Sequence, residues 1–331
     1  MAEPIQQTAE VDAGQHGLRL DQAAAELFAD FSRARLQAWI RDGSLRRNGG
    51  QARPRDRVAV GDQLLLLASP AEQVSWEAES IGLNVVYEDE ALLVVDKPAG
   101  LVVYPAAGHP HGTLVNALLK HRPELDRLPR AGIVHRLDMD TSGLLVVAAS
   151  LPAHANLVEQ FRQRKISRNY AAVCTGGMTS GGSIDAPIGR HPRHRTKMAV
   201  AGVGGKRAIT HYRLARRFAH HTQLAVQLET GRTHQIRVHM AHLRHPLVGD
   251  KTYAGRPRVP PAAAPELLAM LREFPRQALH ARSLGLVHPL SRDYLEWQAP
   301  LPADMAGVPE FFGSFYRRWN PAGRPPPRSM S

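Results

Sequence analysis

Residues 132–147 read GIVHRLDMDTSGLLVV, with two apolar runs, Ile133-Val134 and Leu144-Leu145-Val146-Val147, around His135, Arg136, Asp138, Asp140, Thr141 and Ser142. Such a knot is costly in a core unless its charges are paired and hydrogen-bonded. A strand that breaks for a few charged residues and then resumes can hold reactive groups on a rigid scaffold. Taken alone, the string also fits a charged surface turn closed by an Asp-Thr-Ser helix cap. Asp138 and Asp140 form a DxDxT string, which invites phosphotransfer with an aspartate nucleophile and Mg²⁺. That chemistry places its aspartates directly after an unbroken apolar strand and needs further acids for the metal. Here His135 and Arg136 intervene, and the later Gly249-Asp250-Lys251-Thr252-Tyr253 has no following acid at useful spacing. Both features argue against the metal reading.

His234, His239, His242 and His245 raise a second metal hypothesis. Their spacing lacks an i, i+4 pair, and the single cysteine, Cys174, supplies no thiolate cluster and allows no intrachain disulfide. They read as helix-packing or RNA-contacting histidines, and neither a metal nor a cofactor is expected.

The chain has 331 residues, room for two domains, with 43% hydrophobic residues and a formal charge of +12. A strongly basic balance favours polyanionic partners. Because 36 of the 42 basic residues are arginine, a composition that a GC-rich genome also produces, the distribution of charge matters more than its sum. The first 14 residues are acidic and lack an apolar signal region, and no apolar run is long enough to span a bilayer. The cytoplasm is the expected compartment, with no membrane partner.

These residues need elements to position them. Residues 1–15 read as a disordered lead. Leu20, Ala23, Ala24, Leu27 and Phe28 repeat at helical spacing, and a second helix runs from Ser32 as N-cap to Gly43 as stop. Asn48-Gly49-Gly50 marks a tight turn before a strand at 63–67. Between Asp30 and Arg57 eight arginines face three acids. Arg33, Arg35, Arg46 and Arg47 are the candidate phosphate contacts there. Residues 68–80 form a linker. Beyond it, strands are expected at 84–87, 91–96, 101–104, 143–149, 170–174, 208–214 and 223–229, and helices at 113–120, 153–164, 233–243 and 265–274. Without regular βαβ repetition this implies an α+β protein with a mixed or antiparallel sheet. Between Asp185 and Glu229 there is no acid, while Arg190, Arg193, Arg195, Lys197, Lys206, Arg207, Arg213, Arg216 and Arg217 supply nine cations. Much of that stretch's first half reads as a long loop, and its one-signed charge fits contact with a nucleic-acid backbone. Residues 317–331 are basic, Pro-rich and expected to be disordered.

The segment HRLDMDTSGLLVVA resembles the active-site signature of the RluA-type pseudouridine synthases. Four further segments match that family in order: VVDKPAG at 94–100, SRNYAAVCTG at 167–176, LETGRTHQIRVHMAH at 228–242 and PLVGDKTYAG at 246–255. The N-terminal unit is similar to an S4 RNA-binding domain of the α-L type, through RLDQAAAEL and RDGSLRRNGG. The likeness covers roughly residues 16–312 and is strongest to the branch acting on large-subunit ribosomal RNA, through PRAGIVHRLD, RHPRHRTKMAV followed by GGKRAITHYR, and RQALHARSLGLVHP.

The resemblance implies an S4 domain at 16–67 and a catalytic domain at 81–316 with a mixed, mainly antiparallel sheet. It implies isomerisation of uridine to pseudouridine in large-subunit rRNA, in the hairpin that bridges the ribosomal subunits, by a monomer without cofactor. Asp138 becomes the essential carboxylate, as nucleophile on ribose or base, or as base at the sugar. Arg232 becomes its cationic partner; a cation at a helix start opposes the helix dipole and so points to a specific partner. Tyr170, after Arg168-Asn169 where many relatives carry Lys-x-Tyr, stacks on the target uracil and assists departure of the C5 proton. Arg136 takes the place vacated by the flipped nucleotide, and His135 and Thr141 shape the loop.

Overall fold

A computed structural model describes residues 5–306 apart from 30, 32, 69–75, 106–108, 195, 219 and 256–270. The Ser32 cap, Arg195, most of the linker, most of the helix expected at 265–274 and the basic tail lie outside the described residues. Contacts divide the chain into two compact units, Met1–Ser75 and Trp76–Ser331.

The first unit contains β1 (Ile5–Glu10), α1 (Leu20–Leu27), α2 (Arg33–Asp42), β2 (Leu45–Arg47) and β3 (Gln63–Ala68), with the sheet order β1-β3-β2, antiparallel throughout. Leu20, Ala23 and Ala24 of α1 pack on Leu36, Trp39 and Ile40 of α2 and on Leu64 and Leu66 of β3, the faces that the 3.6- and 2-residue periods select. The lead expected to be disordered is instead ordered from Ile5. Residues 5–10 pair with all six residues of β3, and only Ile5 and Ala9 on its inner face are apolar. Main-chain pairing, rather than a legible apolar alternation, makes this a strand.

The second unit contains β4 (Val85–Glu88), β5 (Leu92–Lys97), α3 (Leu114–His121), β6 (Ser142–Ala148), α4 (Leu151–Arg162), β7 (Ser167–Thr175), β8 (Gly182–Asp185), β9 (Ile188–Arg190), β10 (Met198–Val200), β11 (Ile209–Arg217), β12 (His221–Leu228), α5 (Gln235–His242), β13 (Leu279–Val287) and β14 (Tyr294–Gln298). Nine strands form one sheet in the order β4-β5-β6-β13-β7-β12-β11-β8, with β14 on β13. Among the described strands only β6 and β13 pair parallel, so the sheet is mixed and mainly antiparallel. Consecutive apolar residues in β5 and β6 serve both faces. Leu93, Val95, Leu145 and Val147 pack toward α3 and α5, while Leu92, Val94, Leu144 and Val146 pack toward α4. No helix among the described residues is long and apolar enough to cross a membrane.

Three expectations change here. Residues 101–104 form no strand, because the carbonyls of Val102 and Val103 accept the first amides of α3. The basic stretch after Asp185 is not simply loop: β9 and β10 form a hairpin. The second unit also begins before residue 81. Trp76 packs on the Tyr104 ring at 6.1 Å, and the Glu79 carboxylate accepts from the Gly112 amide at 3.0 Å.

Candidate active site

The break in the apolar run falls between Ile133 and β6, and the loop it forms is tied down at His135 and from Asp138 to Thr141. Thr141 donates its amide to the Asp138 carbonyl at 3.0 Å. Lys97, at the end of β5, is fully buried and donates from Nζ to the carbonyls of Pro98 (2.8 Å), Leu101 (2.9 Å) and Met139 (2.8 Å). Burial pushes this ammonium down to about 8 against the opposing pull of Asp140 and Asp138. Arg276 donates to the Asp140 carbonyl at 3.1 Å and Gln277 to the Thr141 hydroxyl at 3.1 Å. His135 accepts the Val146 amide through Nε2 at 3.0 Å and stacks near Phe161 at 4.9 Å. It is therefore a neutral imidazole, and burial followed by the charge of Arg168 pushes it down to about 3. Gly143 has φ +113°, and a Cβ there would lie 2.2 Å from the Ala281 carbonyl oxygen. Only glycine lets β6 leave the loop and pair immediately with β13.

Asp138 opens onto a cleft of about 570 Å³ whose lining includes Arg136, Asp138, Thr141, Phe161, Arg168, Tyr170, Gly231, Arg232 and Arg237. Its carboxylate accepts from Arg237 Nη1 at 3.1 Å. Arg237 in turn grips Asp250 in a bidentate pair, Nε at 2.8 Å and Nη2 at 3.0 Å. The Asp250 side chain is fully buried, and its Oδ1 also accepts the amides of Thr252 and Tyr253. Burial alone would depress the Arg237 guanidinium, but Asp250 first and Asp138 second more than offset it, so Arg237 is raised and permanently charged. The Tyr253 ring lies 5.1 Å from the guanidinium, and its hydroxyl meets His234 Nδ1 at 2.8 Å. The result is a fixed cation between two carboxylates, one sealed in the core and one facing the cleft.

This geometry corrects one expectation. The ion-pair partner of Asp138 is Arg237, not Arg232. Arg232 precedes α5 and donates Nε to the Arg207 carbonyl at 3.1 Å; it lines the cleft but takes a main-chain partner. Arg237 lies one turn further on, in the run Gln235–Met240, which is buried throughout. A lone arginine in such a run was the available signal, because buried charges are paired. Lys97, Asp250 and Arg168 were missed as site residues for the same reason, although all lie in the matched motifs.

The other expected residues divide by environment. Tyr170 is buried on β7 at the cleft, and burial raises its phenol, with Asp138 adding to the rise. It presents a neutral ring. Arg136 is exposed at the cleft and, among the described residues, makes no hydrogen bond or ion pair. Arg33 pairs with buried Asp21 at 2.6 Å, and Arg47 with Asp62 at 3.3 Å. Both are thus partly committed within the first unit, whereas Arg46 is exposed and Arg35 lies 4.9 Å from the Trp39 ring. Arg190, Arg193 and Lys206 are exposed; Lys197 donates to the Thr252 carbonyl at 2.8 Å, and Arg207 pairs with Asp185 at 3.3 Å. The histidines take separate partners: His239 bonds the Thr210 hydroxyl and the Ala186 carbonyl, and His245 the Thr175 carbonyl. No metal-holding cluster of His, Cys, Asp and Glu occurs among the described residues.

A family model described as RNA pseudouridylate synthase matches residues 91–242, which include Asp138, Tyr170 and Arg237. Ribosomal large subunit pseudouridine synthase D of Pseudomonas aeruginosa is 57% identical over 304 residues, covering 92% of this chain and 95% of that protein. The protein of the same name from Escherichia coli K12 is 51% identical over 311 residues, 94% of this chain and 95% of its own length. Among solved structures, Human RNA Pseudouridylate Synthase Domain Containing 4 aligns over 69% of this chain and 92% of its own, with a TM-score of 0.50 and 24% identity, a likeness of fold. With the Asp138–Arg237 pair set in that fold and relatives of this identity along nearly its whole length, the chain belongs to the RNA pseudouridylate synthase family.

Proposed function

We propose that the protein isomerises specific uridines of large-subunit ribosomal RNA to pseudouridine, with Asp138 as the reacting carboxylate. The reaction breaks the N1–C1′ bond, turns the base and forms a C5–C1′ bond. The C5 hydrogen leaves as a proton and N1 gains one. It is redox-neutral and draws on no energy donor.

The observation that carries this reading is the Asp138–Arg237–Asp250 array facing a cleft bordered by Tyr170. Arg237 neutralises and orients Asp138 without filling the cleft, so one face of the carboxylate stays open to a ribose. The neutral ring of Tyr170 gives the uracil an apolar surface to stack on. Exposed Arg136 at the mouth is suited to stand in the helix gap left when the nucleotide turns out. Arg232, on the cleft wall, faces the RNA rather than the carboxylate. The large-subunit assignment rests on the names of relatives more than 50% identical over nearly the whole chain. The bridging hairpin is the target region we favour.

The first unit acts as an S4-type docking module with Arg46 as a phosphate contact, and in the second unit Arg190, Arg193 and Lys206 are further phosphate contacts. The working form is a cytoplasmic monomer. Incubation with unmodified large-subunit rRNA, followed by carbodiimide mapping of pseudouridine, tests the assignment. New stops confined to the bridging hairpin are expected; modification only elsewhere, or none, would refute it.

A further inference from the structure

Seven arginines but only two acids line the cleft, namely Arg130, Arg136, Arg162, Arg164, Arg168, Arg232 and Arg237 against Asp138 and Glu229. Both acids are engaged: Asp138 by Arg237, and Glu229 by Arg164 at 3.2 Å and His211 at 2.7 Å. Of the seven cations, Arg168 is in the most unusual position. It is 8% exposed, yet it forms no ion pair among the described residues. Among the described residues its side chain hydrogen-bonds only through long contacts from Nη2 to the carbonyls of Leu228 (3.4 Å) and Glu229 (3.3 Å). Nε is buried with no partner. Nη1 makes no hydrogen bond and lies against Gly231, where a Cβ would approach it to 2.8 Å. The Phe161 ring, 5.3 Å away, closes another side.

A buried guanidinium normally meets a carboxylate or saturates its five donors on carbonyls. Arg168 does neither, and among the described residues it leaves the donors of Nε and Nη1 unused in the cleft that Asp138 also lines. We propose that Arg168 is the anion receptor of the cleft and binds a phosphate flanking the target uridine, so that the substrate supplies the counterion the protein lacks. Tyr170 is two residues along the same strand, so both side chains project to the same face. A nucleotide whose base lies on Tyr170 therefore has its sugar-phosphate within reach of Arg168. A phosphate fits better than a uracil oxygen, because it offers a full charge and paired acceptors to a planar fork.

This inference deepens the proposed function and rests on a nucleotide entering this cleft, but its test does not need turnover. Uridine, 5′-UMP and 3′-UMP are titrated against wild type, Arg168→Met and Arg168→Lys, with affinity followed by thermal shift. In the wild type one of the two nucleotides should bind about tenfold or more tighter than uridine. Arg168→Met should erase that preference while leaving uridine binding unchanged, and Arg168→Lys should restore part of it. Without ligand, Arg168→Met should melt no lower than the wild type, because it removes an unpaired buried charge. Equal binding of uridine and both nucleotides by the wild type would overturn the proposal. So would a preference that survives in Arg168→Met, or a loss of uridine binding in that variant, which would place the contact on the base. Failure to modify rRNA would refute the assigned reaction and leave this result standing.

Discussion

Asp138, Arg237 and Asp250 work as a unit because the middle residue cannot be shared by chance: its Nε and Nη2 face Asp250 and its Nη1 faces Asp138. Asp250→Asn leaves Asp138 intact but loosens the grip on Arg237. Misplacement of the catalytic pair by about 1 Å should lower kcat about a hundredfold. Arg237→Met also leaves two carboxylates without their cation, one fully buried. Its unfolding free energy should fall by about 3–5 kcal/mol, read from urea denaturation. Two neutral histidines, buried His280 and partly exposed His135, contribute to the response to acid. His135 is held near 3 by burial and the charge of Arg168, and His280 near 4, also chiefly by burial. In the unfolded chain both protonate near 6.5, so below that pH the unfolded state binds more protons. Stability should therefore rise with pH between about 4 and 6.5 and be lost on acidification. For His135→Gln the slope of unfolding free energy against pH in that window should drop by up to about 1.4 kcal/mol per pH unit. An unchanged slope would mean that His135 is not held neutral in the folded protein.

At the scale of elements, the loop is active because its ends are fixed by packing. β6 pairs with β5 along six positions and meets β13 in parallel at Ser142 and Gly143. Gly143→Ala places a methyl group against the Ala281 main chain in a backbone conformation that L-residues avoid. It should cost at least about 1–3 kcal/mol of stability, and measurement of both melting and turnover should show activity falling with it. Much of this arrangement was legible in sequence. The doubled apolar pairs of 92–95 and 144–147 announce strands buried on both faces, and HRLD marks the interruption. What was not legible depends on partners distant in sequence. Arg232 and Arg237 sit in the same motif, and only the register of α5 against Asp250 decides which one reaches Asp138. β1 was hidden because its stability comes from pairing with β3 across more than fifty residues, not from its own polar sequence. Arg33 looked like a free phosphate contact because nothing local shows that Asp21 is buried against it.

Over the whole molecule, charge is arranged by unit rather than spread evenly. In the second unit Arg190, Arg193 and Lys206 are exposed on the acid-free stretch, whereas Arg33 and Arg47 of the first unit are held by Asp21 and Asp62. Replacing Arg190, Arg193 and Lys206 with alanine should therefore weaken RNA binding. The slope of log K against log salt should become shallower by about 2, measured by filter binding across a salt series. The rate of the chemical step at saturating RNA should not change. A slope that stays the same would remove these side chains from the RNA surface.

The central claim is that Asp138 is the carboxylate that remakes the glycosidic bond, and release of the C5 hydrogen reports that event directly. Large-subunit rRNA labelled with tritium at uridine C5 is incubated with the protein in EDTA, alongside an Asp138→Asn variant shown to be folded by its melting curve. The wild type is predicted to release tritium to water, with none above background from Asp138→Asn. Release by the variant at the wild-type rate, or no release by the folded wild type, would contradict the account.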